Sequence, residues 1–474
     1  MTTKNVRYIT TTLPYVNAKP HIGFAYELLV GDVLTRYWRL MGHEVFFNTG
    51  ADEHGQKIAQ KADEAGEARQ AYVDRYAAEF LKLGEALNVS FDAFIRTTDS
   101  KHIAAAQEIW RRCAANGDIY KKKYTGLYCV GCELFYKESE LLEGNICPIH
   151  TKPCQEIEEE NYFFKLSNYQ QYLEEYLSNQ SVIEPEWRRT EALNFVRAGL
   201  EDFSISRERS RLDWGVPVPD DENQVMYVWF DALTNYISTL DWPDESGSFG
   251  KFWRDGFVLQ LGGKDQVRFQ SVMWQAMLKS ADVKATDKVV YHGFINSAGQ
   301  KMSKSLGNVI SPDELVEKYG TEATRYLLLR HVHPFDDTDV TWDKLDEWYT
   351  AGLVNGLGNL VARVLKMSET HLEAEDFPPL DPQTLDMPET FNLQQVLDHV
   401  WSLINSADAK ITETEPFKLI KTDPDTAKVI LGELRADLLH IGRLLLPFMP
   451  ETSATIRAAV RANKKPDNLF SRLG

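Results

Sequence analysis

The sequence predicts an α/β fold: a doubly wound parallel sheet, interrupted by a Cys-bearing insertion and followed by a C-terminal α-helical bundle. Three observations lead there. Apolar strand patterns alternate with helical periodicity at the start and in the middle of the chain. A segment rich in Cys, Gly and aromatic residues breaks that alternation after Lys121. Beyond Pro334 the strand signals fade into long helical patterns. A chain of 474 residues is also too long for one core and leaves room for several units.

Taken in order, residues 7–13 read as a strand, 14–20 as a turn-rich loop and 23–41 as a helix, the opening of a doubly wound unit. A second strand follows at 44–48, then helical text through Leu87. The Cys-rich segment runs to Cys154 and gives way to an acidic run at 156–160, which reads as an insertion rather than a continuing sheet. Strand-like segments return at 224–230, 258–261 and 288–295, with a helix at 269–279, and supply the second half of the parallel sheet. Near the end, Leu434, Leu438, Ile441 and Leu445 recur at i, i+4, i+7 and i+11 and make one apolar stripe. Residues 373–389, with Pro378, Pro379, Pro382 and Pro388, read as a loop between helices.

Lys and Arg number 52 against 70 Asp and Glu, so the formal charge of −18 argues against a global polyanion binder. Any nucleic-acid site must be a local patch, for which Lys121, Lys122 and Lys123, the Arg207, Arg209 and Arg211 triplet, and Arg457, Arg461, Lys464 and Lys465 are candidates; solvated faces are the plain alternative. The first twenty residues resemble neither a secretory signal nor a transit peptide, and no apolar run is long enough to span a membrane, so a cytoplasmic protein without membrane attachment is expected. Four of the five cysteines fall between Cys129 and Cys154, which suits metal ligation better than a disulfide framework, while Cys113 stands apart as buried packing.

Two motifs carry chemistry. Pro20-His21-Ile22-Gly23 opens the first helix, where unpaired N–H groups and the positive dipole end favour phosphate; Gly23 permits close approach and His21 can donate to a phosphate oxygen. Lys301-Met302-Ser303-Lys304-Ser305 lies between a strand and a helix starting near Pro312. Its two ammonium groups can clamp a triphosphate and offset charge as pyrophosphate leaves. This five-residue string arises by accident on the order of once in ten thousand chains.

The pair resembles the two signature motifs of class I aminoacyl-tRNA synthetases. Leu13-Pro14-Tyr15-Val16-Asn17, Thr49-Gly50-Ala51-Asp52-Glu53-His54-Gly55, Tyr227-Val228-Trp229-Phe230-Asp231-Ala232 and Gly262-Gly263-Lys264-Asp265 resemble the methionyl members. The resemblance implies a Rossmann catalytic domain at 1–118 and 223–290, a connective insertion with a zinc knuckle at 119–222, a lysine-loop and stem-contact segment at 291–344, and a helical anticodon-binding domain at 345–474. It implies activation of L-methionine by ATP with Mg2+, and transfer to initiator and elongator tRNA(Met). His21, Lys301, Lys304, Asp52 and Arg207 are the implied catalytic residues, with Gly23, Gly263, Asp265, His292 and Gly293 beside His21 and Lys304 around ATP. Leu13, Tyr15, Trp229, Ala232, Tyr236, Gln270 and Trp274 would form the methionine pocket with Asp52 on the ammonium. A thioether favours such ring edges, and Trp229, Ala232 and Tyr236 share a face if their segment is helical. Asn359 and Arg363, four apart on one helix face, and Phe417 would meet the anticodon.

Cys129-x2-Cys132 and Cys147-x2-His150 form two close pairs, as a tetrahedral structural Zn2+ requires; His150 is the expected fourth ligand, with Cys154 as its competitor. The sequence departs from the family at Phe24, where the second histidine of the first signature normally stands, at Phe417 in place of a tryptophan, and at Gln266 and Gln270 in place of an apolar residue and a pocket histidine. A Phe24→His variant is therefore expected to be at least as active. A monomer is expected, since no further binding domain follows the helical region. A class I synthetase for another amino acid and a catalytically silent tRNA-binding paralogue are the rival readings.

Overall fold

The computed structural model describes residues 5–130, 134–136, 138–149, 151–302, 309–382 and 389–473. Its largest sheet has six strands, β1 (Val6–Thr10), β2 (Glu44–Ala51), β3 (Ala93–Arg96), β4 (Ile183–Glu184), β5 (Phe257–Gly263) and β6 (Lys288–His292), in the order β3-β2-β1-β5-β6-β4. The pairs β1–β2, β2–β3, β1–β5 and β6–β4 run parallel. Val258, Leu259, Leu261, Val289 and Tyr291 are almost wholly buried, which is why β5 and β6 read as near-continuous apolar runs instead of alternating patterns. The winding reverses between β1 and β5, and a ligand in such a sheet sits beyond the carboxyl ends of the strands at that switch.

The chain folds as two compact units. The first comprises Met1–Pro20, Glu44–Lys82 and Phe91–Tyr291, and the second His21–His43, Leu83–Ser90 and His292–Gly474.

In the first unit, the insertion forms a four-stranded sheet from Leu134–Tyr136, Ile119–Cys129, Gln155–Phe164 and Phe203–Ser204, in that spatial order. Ile119–Cys129 pairs antiparallel with Gln155–Phe164 from Ile119 opposite Phe164 to Tyr128 opposite Gln155. The acidic run at 156–160 lies in that second strand, its Ile157 and Glu159 buried and Glu156, Glu158 and Glu160 exposed. Two sequence expectations are corrected. Residues 224–230 are not a strand of the parallel sheet: Asp221–Met226 pairs antiparallel in a separate small sheet, and the helix Val228–Ala232 follows. The helical text to Leu87 is two helices, Gln56–Ala65 and Arg69–Ala86, because Gly66 takes a left-handed conformation at φ 67° and ends the first.

The second unit begins with the helix Ile22–Leu40 and continues through Pro312–Tyr319, Thr321–His331, Trp342–Trp348, Asn359–His371, Leu393–Thr414, Pro424–Leu444 and Pro450–Ala462. Ser311 and Glu314 form a capping box that, with Pro312 in the first turn, fixes where the helix after the lysine loop starts. Leu434, Leu438, Ile441 and Leu445 are fully buried, as their spacing demands. Among the described residues no helix is long and apolar enough to cross a membrane.

Candidate functional site

In the first unit the site grows from the carboxyl ends of β1, β2 and β5. Tyr15 and Asp52, on the loops that leave β1 and β2, are bridged by their neighbours' backbone: Asp52 N–H donates to Pro14 O at 2.9 Å and Val16 N–H to Asp52 O at 3.1 Å. Thr12 Oγ1 donates to Leu261 O at 3.3 Å and so ties the end of β1 to β5 across the switch. Tyr15 meets Trp229 edge-on at 6.2 Å, and Trp229 lies flat on Phe269 at 3.9 Å and 13°. Tyr236 meets Trp274 edge-on at 5.8 Å. Leu13, Asp52, Ala232, Tyr236, Gln270 and Trp274 are all buried.

Trp229, Ala232 and Tyr236 do not lie on one continuous helix, since Val228–Ala232 and Asn235–Ser238 are separate short helices. Gln270 Nε2 donates to Tyr236 Oη at 2.9 Å and to Leu261 O at 3.1 Å, which supplies the partners that its sequence left open. Its carboxamide lies so close to Gly262 that a Cβ there would stand 2.4 Å from Oε1. A side chain at 262 would therefore push the Gln270 carboxamide out of this position. Gln270 Oε1 and Trp229 Nε1 are buried without a hydrogen-bond partner among the described residues, polar atoms of the kind a ligand satisfies. Gly263 is buried at the end of β5 and Asp265 is exposed just beyond it, accepting from Gln266 Nε2 at 3.3 Å.

Arg207 is buried in this unit rather than paired at the surface. Its Nη1 donates to Ser204 Oγ at 2.9 Å and Ser206 O at 2.7 Å, and its guanidinium lies over Tyr128 and Tyr227 at 5.2 and 4.7 Å. It lines a cavity of about 140 Å3 with Gln56, Tyr128, Gln155, Glu159 and Arg211.

In the second unit His21 caps the helix Ile22–Leu40, its Nδ1 accepting from Gly23 N at 3.1 Å and Phe24 N at 3.3 Å. A ring nitrogen that accepts carries no proton, so in the neutral imidazole Nε2 is the N–H donor. Gly23 lets the ring cross the first turn, since a Cβ there would lie 3.1 Å from the imidazole. Phe24 is buried. On the same helix Glu27 Oε2 lies 2.9 Å from His292 Nε2 and Tyr26 meets the His292 ring edge-on at 5.5 Å, so His292 is brought against the helix that His21 begins. Gly293 accommodates the backbone of Asp336, whose carbonyl carbon would lie 2.2 Å from a Cβ. Lys301 stands on a short strand opposite Asn296. Lys304, with residues 303–308, lies outside the described residues.

Cys132 and His150 also lie outside them. Cys129 and Cys147 are buried, and the Cys154 thiol is pushed up to about 11 by burial and by its closeness to Cys129 and Cys147, with a hydrogen bond to Cys129. Cys147 N–H donates to Lys152 O at 2.9 Å and Cys154 N–H to Asn145 O at 2.9 Å, so Cys154 returns to the stretch just before Cys147. Thiols are the soft donor chemistry that a structural Zn2+ takes. No complete group of three metal-ligating side chains is formed among the described residues alone. Cys113 is buried elsewhere, its thiol raised to about 12 by desolvation.

Asn359 is exposed at the start of its helix, directly after the π-helical stretch Tyr349–Gly358, and Arg363 pairs with Asp408 on the helix Leu393–Thr414. That second helix ends three residues before Phe417, which is 46% exposed with Lys418 Nζ 5.8 Å from its ring. Of the basic patches, Lys121 is paired with Asp221 at 2.9 Å and Arg211 with Glu159 at 2.9 Å.

A sequence model of tRNA synthetases class I (M) matches residues 7–157 and 141–365. The chain belongs to the methionyl class I tRNA synthetases. It is 39% identical to a methionine–tRNA ligase of Clostridium acetobutylicum over 96% of this chain and 73% of that one, and 40% identical to one of Nostoc over 94% and 88%. A Mycobacterium tuberculosis methionyl-tRNA synthetase bound by methionyl-adenylate matches it with a TM-score of 0.90 at 34% identity, covering 98% of this chain and all (100%) of that one. A second structure of that enzyme in complex with methionyl-adenylate gives 0.88 at 37% identity, over 95% and 92%. In this methionyl synthetase His54, Asp231 and Phe269 of the first unit, and Glu27 beside His292 in the second, had no role assigned from sequence. His54 and Asp231 lay inside the quoted motifs. Phe269 and Glu27 had no signal beyond their places on predicted helices.

Proposed function

We propose that the chain is a methionine–tRNA ligase that forms methionyl-adenylate and pyrophosphate from methionine and ATP, then passes methionine to the 3'-terminal adenosine of tRNA(Met). The observation that carries this is the set of side chains at the switch between β1 and β5, Tyr15 beside Asp52 with Trp229 laid on Phe269, in a chain of this family. Asp52 takes the substrate ammonium, and Leu13, Tyr15, Trp229, Ala232, Tyr236, Gln270 and Trp274 enclose the thioether side chain. The methionine carboxylate attacks the α-phosphorus in line and pyrophosphate leaves; a ribose hydroxyl of tRNA then attacks the acyl carbon and releases AMP.

No covalent enzyme intermediate is needed, so catalysis rests on positioning and on charge stabilisation. His21 donates from Nε2 to phosphate at the helix start, Lys301 and Lys304 offset the charge on pyrophosphate, and Arg207 serves the activation site. Gly23, Gly263, Asp265, His292 and Gly293 hold the nucleotide, whose phosphates carry Mg2+. Asn359, Arg363 and Phe417 read the anticodon, Phe417 by stacking. Cys129, Cys132, Cys147 and His150 would hold one structural Zn2+, with Cys154 as the competitor for the fourth position. The ion would clip the insertion and takes no part in the reaction. Residues 1–118 and 223–290 form the catalytic domain, 119–222 the insertion, 291–344 the stem-contact segment and 345–474 the anticodon domain of a cytoplasmic monomer.

ATP–pyrophosphate exchange run with each of the twenty amino acids tests the reading. Exchange that depends on methionine supports it. Exchange with another amino acid, or none at all, overturns it.

A further inference from the structure

We propose that Asp231 is a positioning residue for methionine: its carboxylate ties His54 to His102 and thereby sets the wall bearing Trp229 and Ala232 against the wall bearing Asp52. The inference rests on the ligase reading above and adds to it a residue that touches no substrate.

Asp231 Oδ2 lies 2.7 Å from His54 Nδ1 and Oδ1 lies 2.7 Å from His102 Nε2. His102 Nδ1 in turn lies 2.9 Å from Ser238 Oγ. All four residues are buried, Asp231 and His102 completely. A carboxylate offers only acceptors, so both ring nitrogens facing it carry a proton, and a neutral His102 then accepts the Ser238 hydroxyl hydrogen at Nδ1. Burial pushes the Asp231 carboxyl up, and the neighbouring His54 and His102 outweigh that and hold it below the usual carboxylate range.

The placement gives the network its meaning. Asp231 follows Trp229 by two residues and precedes Ala232, on a helix of five residues, Val228–Ala232, that has no side-chain cap. One turn of helix cannot hold its own position, so its location is set by tertiary contacts. His54 follows Asp52 by two residues, and His102 stands on the longer helix Ser100–Ala115. One carboxylate therefore fastens the aromatic wall, the ammonium-binding wall and a rigid helix at a single point. A site that needed only packing would be served by apolar groups, since burying a carboxylate between two polar rings is costly. An asparagine can still bridge both imidazoles if one ring changes tautomer, its oxygen accepting from one and its NH2 donating to the other.

The test is the Michaelis constants for methionine and for ATP in pyrophosphate exchange, measured on the full chain beside the unsubstituted protein. Asp231→Ala should raise the methionine KM at least tenfold while leaving the ATP KM within twofold, and Asp231→Asn should return the methionine KM to within threefold. A folded Asp231→Ala with both constants unmoved overturns the proposal, as does a parallel rise in both. Should Asp231→Ala fail to fold, His54→Ala cuts only the arm that crosses between the walls. It should raise the methionine KM selectively, with His54→Asn, which keeps a donor in the Nδ1 position, restoring it; no selective rise there overturns the proposal. Absence of methionine-dependent exchange in the unsubstituted protein would instead refute the ligase reading.

Discussion

Arg325 and Asp32 meet at 2.7 Å with neither side chain reaching solvent. Arg325 also donates from Nε to Phe448 O at 2.7 Å, from Nη1 to Leu87 O at 2.9 Å and from Nη2 to Pro447 O at 3.1 Å, so one guanidinium joins three parts of the second unit. Arg325→Met should cost about 1.5 to 3 kcal/mol, because Asp32 loses its fully buried partner while keeping Arg36 at 2.8 Å and Ser90 at 2.7 Å; urea unfolding at pH 7 measures it. The same pair sets an acid limit. Burial would raise the Asp32 carboxyl, but Arg325, Arg36 and a hydrogen bond from Ser90 hold it below its ordinary value of 3.8. A carboxylate depressed in the folded state stabilises fully above its unfolded pKa and loses that contribution as pH falls through the lower folded value. Asp32→Asn should therefore be less stable at neutral pH and show a shallower loss below pH ~4.

His331 makes a different acid sensitivity at milder pH. Its ring stacks on Trp348 at 4.4 Å and 2°, and burial, helped by Arg330, depresses it from 6.5 to about 3. The unfolded chain takes up that proton first, so stability falls as pH drops from 6.5 toward 3. His331→Phe keeps a stacking ring without a titrating group. Its unfolding free energy should change by close to one proton's worth less between pH 7 and pH 5, roughly 1 to 2 kcal/mol.

Two helical glycines should respond in opposite directions to alanine. A Cβ at Gly352 would fall 1.9 Å from Tyr326 Oη, whose ring stacks on Trp401 at 4.5 Å, whereas nothing lies within 4 Å of one at Gly432. Gly352→Ala should lose about 1 to 3 kcal/mol by overpacking. Gly432→Ala, in the interior of Pro424–Leu444, should gain about 0.5 to 1 kcal/mol. Thermal unfolding of the two variants side by side reads both signs.

Metal analysis of the purified chain should find one zinc per chain, and substitution of Cys129 or Cys147 by Ser should abolish it. His150→Asn should weaken zinc retention against a chelator more than Cys154→Ser. The reverse order would put Cys154 in the ligand set in its place.

Much of this was legible from residue order because the relevant physics is local. The helix at Ile22–Leu40 follows from a capping residue and an apolar face, and Leu434 to Leu445 from spacing alone. The apolar runs of β5 and β6 announced strands buried on both sides. What failed was partnership at a distance. Residues 224–230 carry a strand's composition, but nothing local tells a strand of the parallel sheet from Asp221–Met226 pairing with its own neighbours, or marks the turn into Val228–Ala232. Tyr15 and Asp52 could be named as site residues by resemblance, yet their backbone bridge depends on two parallel strands 37 residues apart (52 minus 15) lying side by side. Asp231 stood inside a quoted motif and passed without a role, because its two imidazole partners are 177 and 129 residues away.

The most direct measurement is charging of total tRNA by the purified chain with each labelled amino acid in turn. The account predicts that methionine alone becomes acid-precipitable, saturating at the tRNA(Met) content of the mixture. Label from another amino acid, or adenylate formed with no transfer to tRNA, would contradict it.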